Sequence, residues 1–179
     1  MRKLLLHICC GPCAIHVMEV LRQQYNITGY FYNPNIYPEE EYVKRLDAAR
    51  EVAKRMGITL IESEYEPQTF LNAVKGFENE PENGERCKIC YRLRFSGTAQ
   101  YAADSSFDCI ASTLTSGPRK KASIINPIGI NEAEKVGLSF IESDWKKKDS
   151  FKRSCELSRE YGIYRQNYCG CLFSIPKRK

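Results

Sequence analysis

Seven of the nine cysteines in this 179-residue chain fall into three short clusters: Cys9-Cys10-Gly11-Pro12-Cys13, Cys87-Lys88-Ile89-Cys90 and Cys169-Gly170-Cys171. Thiols one to three residues apart suit ordinary packing poorly. They suit a soft metal well, because thiolates favour iron–sulfur clusters, zinc and copper(I). Each cluster alone is an incomplete site, so the fold must bring three distant stretches of chain to one place. Seven thiolates also exceed the four that one zinc ion or one cubane cluster takes. The odd total and the tight spacing argue against a disulfide framework and for a reducing compartment.

Strand and helix patterns alternate along the chain. Leu4–Ile8 reads as a short buried strand; Ala14, Val17, Met18 and Leu21 then recur at helical spacing, with Pro12 suited to the first turn. Ile27–Tyr32 gives a second strand, closed by Asn33–Pro38 with its two prolines. Glu39–Met56 is a helix with an acidic first turn and Gly57 as its stop. Thr59–Glu62, Phe107–Ala111 and Leu138–Ile141 complete five strands. Further helices span Gln68–Phe77, about Ile89–Ala103 and about Ser150–Tyr161, and none is assigned between the last two strands. The alternation predicts a three-layer α/β/α fold with a mostly parallel five-stranded sheet. No linker divides the chain, so 1–179 is expected to form one metal-binding catalytic domain with a basic tail from about 174.

In open parallel sheets, ligands bind beyond the carboxyl ends of the strands. The first cysteine cluster sits at that location. No Gly-x-Gly-x-x-Gly and no Gly-Lys-Ser/Thr occurs there, so a metal centre is expected in place of a nucleotide. Cys87 and Cys90 stand at a helix start, where the spacing lets two sulfurs converge and the helix N-terminus favours the thiolate. In extended backbone neighbouring side chains point apart, so adjacent Cys9 and Cys10 are expected to serve two metals rather than one. Gly170 permits a turn that splays Cys169 and Cys171. Seven ligands then divide as four for a cubane and three for a second metal with an open position, which is the mark of a catalytic site.

The remaining residues give weaker signals. Cys109, Cys155 and His7 read as packing residues. Tyr37, Tyr91, Tyr164 and Tyr168 lie near the crevice segments and suit stacking on unpaired bases. Arg119 and Lys120, after the fourth strand, are candidates for phosphate contacts. A net charge of +5 permits a polyanionic partner without requiring one, and the runs Pro118–Lys121, Lys146–Lys148 and Pro176–Lys179 read chiefly as solvated surface. The apolar start stops at His7, too short for a signal h-region or a membrane span, so a cytoplasmic protein is expected.

Four segments in combination carry a family resemblance: His7–Cys13, Phe31–Ile36 (Phe-Tyr-Asn-Pro-Asn-Ile), Arg86–Tyr91 and Tyr164–Cys171. They resemble the cobalamin-independent epoxyqueuosine reductases, the QueH family, over about Leu4–Ser174. The resemblance implies reduction of epoxyqueuosine to queuosine at the wobble position of tRNA, the last step of queuosine synthesis. It implies a fold akin to the adenine-nucleotide α-hydrolase (HUP-like) group, a 4Fe–4S cluster beside a separate iron, and an external electron donor. Carried onto this chain, the cluster falls to Cys10, Cys87, Cys90 and Cys169, and the second iron to Cys9, Cys13 and Cys171. Tyr37, Arg119, Lys120 and Tyr168 are the candidates for tRNA contacts. Two segments depart from the family pattern: Ser116-Gly117-Pro118-Arg119-Lys120, and the glycine-free Trp145–Phe151. The rival readings are an ATP-dependent tRNA-modifying enzyme of related fold, whose Ser-Gly-Gly-type loop Cys9-Cys10-Gly11-Pro12 replaces, and a zinc or electron-transfer module.

Overall fold

Leu4, Leu5 and Leu6 are all inaccessible to solvent, as a strand covered on both faces requires. They form the centre of β1 (Arg2–His7) in a computed structural model that describes residues 1–147 and 150–176. With β2 (Tyr25–Phe31), β3 (Thr59–Glu62), β4 (Cys109–Ser112) and β5 (Ser139–Phe140) it builds a wholly parallel sheet in the order β3-β2-β1-β4-β5. The order reverses at β1, so the crevice beyond its carboxyl end is the topological switch point.

Alternate residues of β1, with Ile8 just beyond it, feed two cores. Leu4, Leu6 and Ile8 pack against α1 (Gly11–Leu21), α2 (Glu39–Met56) and α6 (Ser150–Glu160) on one face. Leu5 packs on the other face with Ala99 and Ala102 of α4 (Glu85–Asp104) and Ala133 of α5 (Ala122–Glu134). A short α3 (Pro67–Ala73) lies beside α4. The expected three-layer architecture is therefore present. Gly57 ends α2 in the left-handed conformation (φ 63°), as its sequence position predicts. Gly11 lets α1 lie against α2: a Cβ there would stand 2.7 Å from the Ala48 carbonyl oxygen.

Elements α5, α4 and β5 differ most from expectation. Helix α5 was not assigned from sequence, because Pro127 and Gly129 interrupt its pattern. Gly129 serves close packing there, since a Cβ would meet the Phe140 ring at 2.4 Å. Helix α4 starts at Glu85 rather than near Ile89, so Cys87 and Cys90 both stand on its first two turns. Strand β5 is only two residues long. Part of the basic run Lys146–Lys148 and the tail residues 177–179 lie outside the described residues.

Candidate metal centre

The chain leaves β1 at His7, bends at Cys9 and enters α1, with extended Cys10 (φ −168°, ψ 159°) as the residue before the first helical turn. This bend removes the strand alternation that would separate Cys9 from Cys10. Their sulfurs stand 3.7 Å apart, and those of Cys9, Cys10 and Cys13 all lie within 4.8 Å of one another. The expectation that the adjacent pair diverges is therefore corrected. Two thiolates on one tetrahedral ion, each at about 2.3 Å, stand roughly 3.8 Å apart, so the trio fits a single metal.

Helix α4 and the segment after α6 deliver the other four thiols to the same end of the sheet. Cys90 and Cys171 share one buried cluster with Phe70 and Val74. Cys87, Cys169 and Cys171 line a cavity of about 260 Å³. Cys169 also lines a second cavity, of about 280 Å³, together with Cys9 and Cys13. All three cysteine clusters thus meet at the crevice beyond β1. Cys109 is buried in the core, whereas Cys155, read as a packing residue, is half-buried in the wall of the larger cavity.

Buried cations and donors surround these sulfurs. Lys120 Nζ donates to Cys169 Sγ at 2.9 Å and stands 5.6 Å from the Tyr91 ring centroid. Arg94, buried on α4, donates to Asn33 Oδ1 at 2.7 Å and approaches Cys90 Sγ at 4.0 Å. Gln166 Nε2 donates to Cys10 Sγ at 3.0 Å, and the Asn83 backbone N–H to Cys87 Sγ at 3.3 Å. Thr113 contacts Cys9 Sγ at 3.4 Å. These donors favour sulfur in its anionic form.

The thiols themselves differ. Hydrogen bonds with Cys10 and Cys13 hold Cys9 well below the ordinary thiol range, whereas burial pushes Cys10 and Cys90 up to about 12. Uptake of a metal by this set therefore releases protons. Burial pulls the Lys120 ammonium down, but the Cys169 sulfur opposite reverses this and the net direction is up. His7 is a neutral core histidine, as expected: burial first, then Arg94, holds it down at about 3. Its Nε2–H donates to the Tyr32 carbonyl at 3.1 Å, and its Nδ1 pairs with Ser112 Oγ at 3.0 Å.

The family model described as "Epoxyqueuosine reductase QueH" matches residues 4–177. The chain belongs to the QueH family. Similar family members include the epoxyqueuosine reductase QueH of Streptococcus pyogenes serotype M1, 38% identical over 96% of this chain and 70% of that protein. That of Haemophilus influenzae is 39% identical over 97% and 71%, and that of Thermotoga maritima 35% identical over 100% and 93%. Among solved structures, the U34-tRNA thiolase NcsA from Methanococcus maripaludis with its [4Fe-4S] cluster superposes with a TM-score of 0.60. It is 14% identical, over 98% of this chain and 62% of that one. A predicted tRNA methyltransferase subunit from Methanocaldococcus jannaschii gives 0.54 at 13% identity, over 88% and 75%. These two similarities show that this QueH-family chain shares its fold with both structures.

Of the four candidates for substrate contact, Arg119, Lys120 and Tyr168 line the larger cavity and exposed Tyr37 does not. Arg119 pairs with Glu82 at 3.4 Å, while Lys120 turns its ammonium to Cys169. Sequence reading missed Arg45, Arg94 and Gln166. The four-residue step from Cys90 to Arg94 along one helix was the available signal for Arg94. Contacts such as Gln166 to Cys10, across 156 positions, carry none.

Proposed function

We propose that this chain reduces epoxyqueuosine in the anticodon loop of tRNA to queuosine, as a single cytoplasmic catalytic domain using a [4Fe-4S] cluster and an additional mononuclear iron. The observation that carries this reading is the meeting of the three cysteine clusters beyond β1, beside buried Lys120 and Arg94, where Cys9, Cys13 and Cys169 line one cavity and Cys87, Cys169 and Cys171 another. The donor set fits iron: all-sulfur ligation suits a cluster, and the buried cations offset its negative charge. Cys10, Cys87, Cys90 and Cys169 are the proposed cluster ligands, and Cys9, Cys13 and Cys171 those of the second iron. The mutual approach of Cys9, Cys10 and Cys13 favours a second division, in which these three share the single iron and Cys87, Cys90, Cys169 and Cys171 hold the cluster.

Epoxide deoxygenation breaks both C–O bonds, forms a C=C bond and releases the oxygen as water. It consumes two electrons and two protons, and the electrons come from an external one-electron donor. Bound iron of these two kinds supplies single-electron transfer and a Lewis acid for the departing oxygen. The chain itself binds and orients the substrate. A base from an unpaired loop enters the larger cavity cheaply, Tyr168 offers a stacking face at its wall, and Arg119 stands ready for phosphate. Among the described residues no helix is long and apolar enough to cross a membrane.

Anaerobic reconstitution tests the metal assignment. Visible absorption with iron beyond the content of one cubane per chain is expected. A colourless protein that takes up only zinc would defeat the reading. In Cys13→Ala, retained colour with lost turnover is expected under both divisions, whereas Cys10→Ala separates them: colour is lost under the first and kept under the second.

A further inference from the structure

Residues 164–171 return across the crevice as an irregular strap, and one buried guanidinium holds them. Arg45, on α2, donates through Nη1 to the Cys169 carbonyl at 3.0 Å and through Nη2 to the Tyr168 carbonyl at 3.1 Å. Its Nε donates to Glu41 Oε1 at 2.7 Å, and Tyr164 Oη donates to the other Glu41 oxygen at 2.7 Å. The guanidinium also lies over the Tyr168 ring, 5.2 Å from its centroid. Between the two sulfurs, Gly170 adopts φ +122°, and a Cβ there would stand 2.8 Å from Arg45 Nη1. The Gly170 carbonyl accepts from the Tyr37 N–H at 2.8 Å, and the Tyr168 hydroxyl donates back to the Tyr37 carbonyl.

A buried ion pair is costly to desolvate and adds little net stability over apolar packing. The Glu41 and Arg45 side chains are only 8% and 3% exposed. What this pair gives is direction. The planar fork fixes two successive carbonyls, and so the peptide planes on either side of Cys169. Cys171 follows through Gly170, which packs on the guanidinium and whose carbonyl the Tyr37 N–H holds. We infer that Arg45, braced by Glu41 and Tyr164, is a positioning residue that sets where the Cys169 and Cys171 sulfurs stand in the crevice. The inference rests on the reading of those two thiols as site residues, but its test needs no turnover.

The test is timed alkylation of the metal-stripped, reduced full chain, with each cysteine followed by peptide mass spectrometry. Local opening of the strap exposes its own thiols and those packed against it, whereas only global unfolding exposes Cys109, which is buried in β4. In Arg45→Gln, the Cys169 and Cys171 rates should rise about tenfold, as expected when hydrogen bonds to a charged group are lost, while Cys109 stays unchanged. Arg45→Lys should not restore protection, because an ammonium cannot span two carbonyls. Tyr164→Phe, which keeps Arg45 and covers the case where Arg45→Gln does not fold, should raise the same two rates by a smaller factor. Unchanged rates at Cys169 and Cys171, or a parallel rise at Cys109, would overturn the inference. Should the reductase reading fail instead, the alkylation pattern would persist in a protein inactive on epoxyqueuosine-bearing tRNA.

Discussion

The Lys120 ammonium stands 2.9 Å from the Cys169 sulfur, in a site where only 9% of the lysine is exposed. Taking an ammonium out of water costs several kcal/mol unless an anion faces it. Among the described residues the Glu82 carboxylate, at 3.9 Å, is also within reach of Lys120. Lys120 is thereby a counter-charge to the sulfur set before it is anything else.

Lys120→Met should therefore weaken iron retention by about tenfold in a chelator challenge, the scale of loss seen when a group supporting a metal ligand is removed. Lys120→Arg, which keeps the charge, should recover most of it. Equal retention in Lys120→Met and the parent would contradict this role.

Arg94 joins the metal region to the loop after β2. Its removal orphans Asn33 Oδ1, whose amide also donates to the Ile8 carbonyl at 2.8 Å. Arg94→Met should lower stability to urea by about 2 kcal/mol, the usual penalty for an unsatisfied buried acceptor. A loss confined to a few tenths would mean that the loop rearranges freely.

Gly11 is required by packing. Gly11→Ala sets a Cβ 2.7 Å from a backbone oxygen of α2, an overpacking that should cost about 1–3 kcal/mol. Thermal unfolding should show a lower Tm, by about 5 °C for a chain of this size. An unchanged Tm would contradict the close approach of α1 and α2.

The acid limb of stability has one readable contributor at the sheet edge. Arg50 grips Glu62 through Nε and Nη2 at 2.7 and 2.6 Å and holds its carboxyl below the usual range. A depressed folded pKa means that this stabilisation is complete above the unfolded value near 4.5 and is lost as pH falls through the folded one. Both groups are substantially exposed, so solvent screening keeps the effect below about 1 kcal/mol. Glu62→Gln should lower stability slightly at pH 7 and flatten its decline in acid. A Gln variant with the same acid slope as the parent would refute the assignment.

How far the sequence was legible depended on the range of the interactions. Alternation of Leu4, Leu5 and Leu6 with the helix patterns announced the sheet, and soft-metal chemistry required the three cysteine clusters to meet. Helix α5 stayed hidden because Pro127 and Gly129 are poor helix residues that tertiary packing overrides. The convergence of Cys9 and Cys10 was missed because strand geometry was extended one bend too far. Lys120 read as a phosphate ligand because its partner lies 49 positions away. The buried pair of Glu41 and Arg45 stood at a plain four-residue helical spacing, yet nothing local distinguishes it from a surface pair.

The seven clustered thiols of this QueH-family chain are proposed to support reduction of a tRNA epoxide. The direct measurement is a single-turnover anaerobic assay, combining the iron-reconstituted chain and a strong one-electron reductant with tRNA bearing epoxyqueuosine, followed by nucleoside mass spectrometry. Queuosine, lighter than its precursor by one oxygen atom, should form in the reconstituted protein and fail to form in the metal-free one. Intact epoxyqueuosine after reaction with a fully iron-loaded chain would show that these thiols do not support the reduction.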